Sequence, residues 1–133
     1  MSTDKVHGIA SVFKALSNAH ALSLLRAIAT ESREPDVLKA DLKLTSKQYY
    51  SRMSALSKSN LVQKKGGILS LTSFGKLVYE SQITIEKGLD DLAKLKVIDS
   101  LEASTGLSNE ERDNIVNILL QNGELKTILE KKN

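Results

Sequence analysis

The stretch TSKQYYSRMSALSKSNLVQKKGGILSLTSFG, residues 45–75, decides how this chain is read. Thr45 and Gln48 stand three apart, the spacing at which each side chain meets the other's free backbone N–H at a helix start. A helix from Ser46 to about Ser59 follows. At about 100° per residue Tyr49, Met53 and Leu56 share one narrow stripe, which should face a core. Lys47, Ser51, Ser54 and Lys58 lie opposite, with Gln48 and Arg52 on one flank and Tyr50 on the other. Residues 61–65 and 68–71 read as short strands joined by Gly66-Gly67, a pair that accepts the positive φ angles of a tight hairpin turn. Thr72 then caps another helix.

Toward the N-terminus, Ile9, Val12, Phe13 and Leu16 recur at helical spacing. Ser17 or Asn18 is placed to cap a second helix bearing Ala21, Leu22, Leu24, Leu25 and Ile28. The polar residues 30–35 end that pattern. Pro35, the one proline, marks a loop, and Asp36 is expected to cap a short helix containing Val37, Leu38 and Leu42. Toward the C-terminus, the helix from Thr72 carries Phe74, Leu77, Val78, Ile85, Leu89 and Leu92 and is expected to run to about Leu101, with Gly88 as a weak point. Residues 104–107 read as a loop. Ser108 and Glu111 repeat the capping spacing, Asn122-Gly123 ends the helix that follows, and residues 124–132 form a short helical tail.

Charge divides the chain at the same place as the pattern. Residues 1–78 hold twelve Lys or Arg against five acids, whereas residues 79–133 hold seven against eleven. No Asp or Glu occurs from position 42 to 79, and Lys43, Lys47, Arg52, Lys58, Lys64, Lys65 and Lys76 all fall there. A solvated face normally mixes both signs, so the missing acids point to a polyanion partner. The chain has no cysteine, which removes disulfides and thiol chemistry, and His7 and His20 lack partner spacing, so no metal site is expected. No phosphate-binding glycine loop and no nucleophile with a base is present, so no catalytic residue and no cofactor is expected. No apolar run approaches the roughly 20 residues that span a bilayer, and the first residues lack a signal-peptide layout; a cytoplasmic location without membrane contact is expected.

The order helix, helix, short helix, turn, helix, hairpin, helix is the plan of a winged helix-turn-helix, a mainly α fold whose only strands form the wing. Specific residues carry a resemblance to a family. Residues 12–29, VFKALSNAHALSLLRAIA, resemble the opening "ALSDPTRLRIL" of ArsR-type regulators, and SRMSALSKSNLV resembles their "SRHLKxLxxAGLV" recognition helix. Leu71 to Gly75, LTSFG, is similar to the "LTxxG" that follows the wing in many ArsR-, MarR- and archaeal-type regulators. The family's Pro-Thr-Arg is Ala19-His20-Ala21 here, Asn60 replaces a small residue, Lys43-Leu44 lacks the common turn glycine, and the metal-sensing ligands are missing.

The resemblance implies a DNA-binding domain over residues 1–79 and a C-terminal helical extension over residues 80–133. It places Ser46, Lys47, Gln48, Tyr50, Ser51, Arg52 and Lys58 at double-stranded DNA, where the major groove admits one helix. Arg52 is expected at guanine or phosphate, Gln48 at adenine, and Tyr50 and Ser46 at phosphate, while Lys64, Lys65, Gly66 and Gly67 form the wing on the adjacent backbone or minor groove. The stripe of Ile85, Leu89, Leu92 and Leu95, with Val116, Leu119 and Leu120, is expected to form a homodimer; packing of these helices within one chain remains the alternative. A protein-interaction or RNA-binding module on the same scaffold is the second functional reading, although few exposed aromatics are expected. Nothing in the residues identifies a small-molecule effector.

Overall fold

The computed structural model describes residues 3–31 and 34–130. Ser32 and Arg33 of the expected loop, and Lys131 and Lys132 of the expected tail, lie outside the described residues. Helix α1 (Thr3–Ala15) begins before Ile9, the first residue of the apolar spacing. Only part of that spacing faces inward: Val12 and Leu16 pack on the core, whereas Val6, Ile9 and Phe13 form an exposed row. Asn18, not Ser17, caps α2 (Ala19–Thr30), its Oδ1 accepting from Ala21 N at 2.9 Å. The Ser17 hydroxyl turns back to donate to Lys14 O.

The short helix α3 (Pro35–Asp41) corrects two expectations. Pro35 is its first residue rather than a loop marker, because a ring-locked φ suits a first helical turn whose N–H would be unpaired anyway. The cap position is Glu34, and Asp36 stands in the first turn, where its charge suits the helix dipole. Helix α4 (Ser46–Lys58) leads into β1 (Val62–Lys65), which pairs antiparallel with β2 (Ile68–Leu71) in the register Val62 to Leu71 and Lys65 to Ile68. Gly66 and Gly67, at φ 58° and 79°, supply the two left-handed residues that such a two-residue turn requires.

Helix α5 (Ser73–Asp90) does not continue to Leu101. It ends where α6 (Leu92–Thr105) begins, with Asp91 between them at φ −100° and ψ 15°. The break lies three residues beyond Gly88. Paired acids oppose the negative end of a helix dipole, while an acid preceding the next helix suits its positive end, so Asp90-Asp91 favours a new start there. Residues expected as a loop, Ser104 and Thr105, finish α6, and Gly106 terminates it in the left-handed region at φ 59°. Helix α7 (Asn109–Leu119) is capped by Ser108, as the spacing predicts. Asn122 does not end α7; its Oδ1 accepts from Leu125 N at 2.9 Å and starts α8 (Gly123–Glu130).

The chain divides into two units, Met1–Tyr79 and Glu80–Asn133. In the first, α2 packs on α4 and β2, α4 packs on β1, and α1 reaches α4. Leu24, Leu25, Leu38, Leu56 and Leu61 are wholly buried in its core. The second unit has a smaller core of Ile98, Val116, Leu120 and Leu125, ringed by Leu95, Ile115, Leu119 and Leu129.

Candidate nucleic-acid interface

Helix α4 is stabilised from both ends. The Thr45 hydroxyl accepts from Gln48 N at 3.1 Å, and Gln48 Oε1 accepts from Thr45 N at 2.9 Å, which completes the expected capping box. At the far end Leu61 N donates to Leu56 O and Asn60 N to Ser57 O, with Asn60 left-handed at φ 62°. That pair of bonds is the Schellman arrangement, and asparagine is among the few side chains that tolerate its left-handed position. The preceding helix ends the same way: Leu44 N donates to Lys39 O, Lys43 N to Ala40 O, and Lys43 takes φ 54°. A lysine therefore occupies the turn position where the resembling family has glycine.

These supports fix which way α4 faces. Tyr49, Met53 and Leu56 are buried, as their stripe predicts. Burial raises the Tyr49 phenol above its ordinary value of 10.0, with smaller contributions from Tyr50 and Asp36. Ser46, Lys47, Tyr50, Ser51, Ser54 and Lys58 are exposed. At about 100° per residue, Lys47, Ser51, Ser54 and Lys58 lie together on the side opposite the core. Lys58 stands about 18 Å along the axis from Ser46, so the row runs the length of the helix.

Two residues are held differently from what their positions suggest. Gln48 is half-buried and its Oε1 already serves the capping box, so the two-bond pairing to adenine is not open to it in this arrangement. Arg52 is also half-buried and lies about 120° around the helix from the centre of the outward row. Its Nε is buried without a hydrogen-bond partner, and no ion pair holds the side chain among the described residues. No salt bridge among the described residues therefore positions it.

The wing separates two lysines that adjoin in sequence. Facing residues of an antiparallel pair share a side and successive residues alternate. Lys65 therefore shares the outward side with Ile68, which is 43% exposed, whereas Lys64 shares the other side with buried Leu69. Both lysines and both glycines are exposed.

The wing is anchored at its base by LTSFG. The Thr72 hydroxyl donates to Asn60 O at 2.5 Å and accepts from Gly75 N at 2.8 Å, while Thr72 N donates to Leu61 O at 3.1 Å. A Cβ added to Gly75 would stand 1.9 Å from Leu61 O, so this backbone approach requires glycine. The end of α4, the first strand and the start of α5 meet at that carbonyl.

Lys39 is a basic residue of this surface that the sequence reading missed. Its Nζ donates to Ser46 Oγ at 3.3 Å and lies 5.9 Å from the centroid of the Tyr50 ring. Lys39 stands on α3 and its two neighbours on α4, so no single helix relates them, and the turn at Lys43 brings them together. Tyr50, 65% exposed, meets Tyr49 edge to face at 5.2 Å.

The residues expected at a dimer interface fall into two groups. Ile85, Leu89 and Leu92 are exposed, at 62, 65 and 43%. Val116 and Leu120 are wholly buried in the core of their own unit, with Leu95 and Leu119 packed against them, so the first two are not available to another chain. Their apolar faces are met by neighbouring helices. Among the described residues no cluster of three or more His, Asp or Glu is placed to hold a metal, and no helix is long and apolar enough to cross a membrane.

No family model matches the chain, and no curated protein matches it. Among solved structures, the chain is similar to the solution NMR structure of the homodimeric winged helix-turn-helix DNA-binding domain, residues 1–100, of Mb0332 from Mycobacterium bovis, described as a possible ArsR-family transcriptional regulator. The likeness covers 66% of this chain and 89% of that one, at 17% identity and a TM-score of 0.57. It establishes the fold of this chain as a winged helix-turn-helix.

Proposed function

We propose that this chain is a sequence-specific double-stranded DNA-binding transcription regulator of ArsR-like, archaeal type, acting without metal ligands. The observation that carries the reading is the outward face of α4, which presents Lys47, Ser51, Ser54 and Lys58 within a segment free of acids from position 42 to 79. In the major groove, Lys47 and Ser51 stand nearest the base edges, because the N-terminal half of a recognition helix enters deepest. Arg52 and Tyr50, on opposite flanks, are placed for the two phosphate walls, and Lys65 on the wing adds an adjacent backbone contact.

A homodimer accompanies this reading. The structural neighbour is homodimeric, and Ile85, Leu89 and Leu92 give this chain an exposed apolar row. Two-fold DNA sites follow from a two-fold protein.

The test is duplex binding across a salt series. Log affinity should fall linearly with log salt at about 0.9 per phosphate neutralised, and a preferred sequence should emerge from selection among random duplexes. Salt-independent binding, or retention of single-stranded RNA alone, would replace the DNA reading with the RNA or protein-interaction module.

A further inference from the structure

We infer that Lys39, on α3 and outside the recognition helix, is a DNA phosphate contact whose ammonium is positioned by the Tyr50 ring. The inference rests on the DNA reading above and adds to it a residue and a mechanism. Lys39 has no carboxylate partner among the described residues. Its neighbours, Ser46 Oγ and the Tyr50 ring, are uncharged and leave its positive charge intact. The arrangement holds that charge in place without neutralising it.

Three features fix the position. The Lys39 carbonyl accepts the Leu44 N–H that closes the end of α3, so its backbone belongs to a defined turn. Tyr50 is braced edge to face by buried Tyr49, which limits where its ring can go. Ser46 and Tyr50 are one helical turn apart and mark the same flank of α4. That flank adjoins the base-facing row on the side opposite Arg52. A lysine ammonium suits a phosphate better than a base edge here, since it acts as a point charge and lacks the planar fork that reads guanine. Ordering it against an aromatic face reduces the side-chain entropy lost on binding.

The experiment measures duplex affinity as a function of salt for the wild-type chain, Lys39→Gln, Lys39→Arg, Tyr50→Phe, Tyr50→Leu and each Tyr50 variant combined with Lys39→Gln. Lys39→Gln should flatten the log–log slope by about 0.9 and weaken all sequences alike, whereas Lys39→Arg keeps the slope. Measured against Tyr50→Phe, which gives up only the hydroxyl's own phosphate contact, Tyr50→Leu should weaken binding further when Lys39 is present and by no more than about twofold in the Lys39→Gln background, because the ring acts through the ammonium. An unchanged slope in Lys39→Gln overturns the phosphate contact while leaving the DNA reading intact. An equal loss from Tyr50→Phe to Tyr50→Leu with and without Lys39 overturns the positioning by Tyr50. A wild-type chain with no salt-dependent duplex binding overturns both. Urea unfolding of each variant identifies any loss that comes from the fold instead of the contact.

Discussion

Gly75 illustrates how one hydrogen atom in place of a methyl group decides a local structure. Gly75→Ala would drive a Cβ into the Leu61 carbonyl at 1.9 Å, and should cost about 2 to 3 kcal/mol, read as a lower urea midpoint at unchanged m-value. Lys43 is the opposite case, a side chain where glycine would be easier. With φ at 54°, Lys43→Gly should stabilise the chain by about 1 kcal/mol and raise Tm by several degrees. Gln48 separates capping from recognition: Gln48→Glu keeps an acceptor for Thr45 N and so keeps the helix, but adds a negative charge beside the proposed DNA surface and should weaken duplex binding at unchanged Tm. Tyr49 bears on alkaline stability. Its phenol is raised in the folded state, so its contribution is full below the ordinary value of 10.0 and is lost as pH rises through the higher folded value; Tyr49→Phe should remove that part of the alkaline decline. Residue identity made the capping box and the buried stripe of α4 legible in advance. It does not reveal that Gln48 is already engaged, because the same amide oxygen suits both the cap and adenine, nor that Lys39 approaches Tyr50, because that contact depends on a left-handed lysine.

Elements whose signals are local were easier to read than those whose limits depend on competition. The hairpin followed from Gly66-Gly67, and its register then set Lys65 outward and Lys64 toward Leu69. Lys65→Gln should therefore reduce the salt dependence of the proposed DNA binding by about one phosphate, and Lys64→Gln should change it less. Equal slopes for the two variants would mean that the strand faces do not govern the contact. The helix from Thr72 was harder, since its apolar residues continue past Asp91 at nearly helical spacing. Beyond that point Leu95 and Ile98 turn inward while Leu92 and Val97 remain exposed, so apolar content persisted although the stripe did not. Asn122-Gly123 carried a similar ambiguity: both residues suit the end of a helix, yet asparagine also caps a start, and here it caps α8.

For the whole molecule, an amphipathic helix announces that it has a partner but not which one. Val116 and Leu120 found theirs within the second unit, whereas Ile85, Leu89 and Leu92 did not. If the proposed dimer forms through this row, Ile85→Asp with Leu89→Asp should shift sedimentation to monomer and lower affinity for a two-fold DNA site much more than for a half-site. Phe13→Asp, on the exposed row of α1, is the comparison; dissociation by that change alone would relocate the interface. The junction at the Leu61 carbonyl bears on the proposed DNA complex as well. With α4, the hairpin and α5 joined at one backbone group, the spacing from recognition helix to wing is set by the protein. A duplex whose grooves do not match that spacing must twist or bend to meet both contacts, and the deformation energy falls on the DNA. Flexible pyrimidine–purine steps between the two contacts should then bind better than a stiff A-tract, at base pairs that no side chain touches.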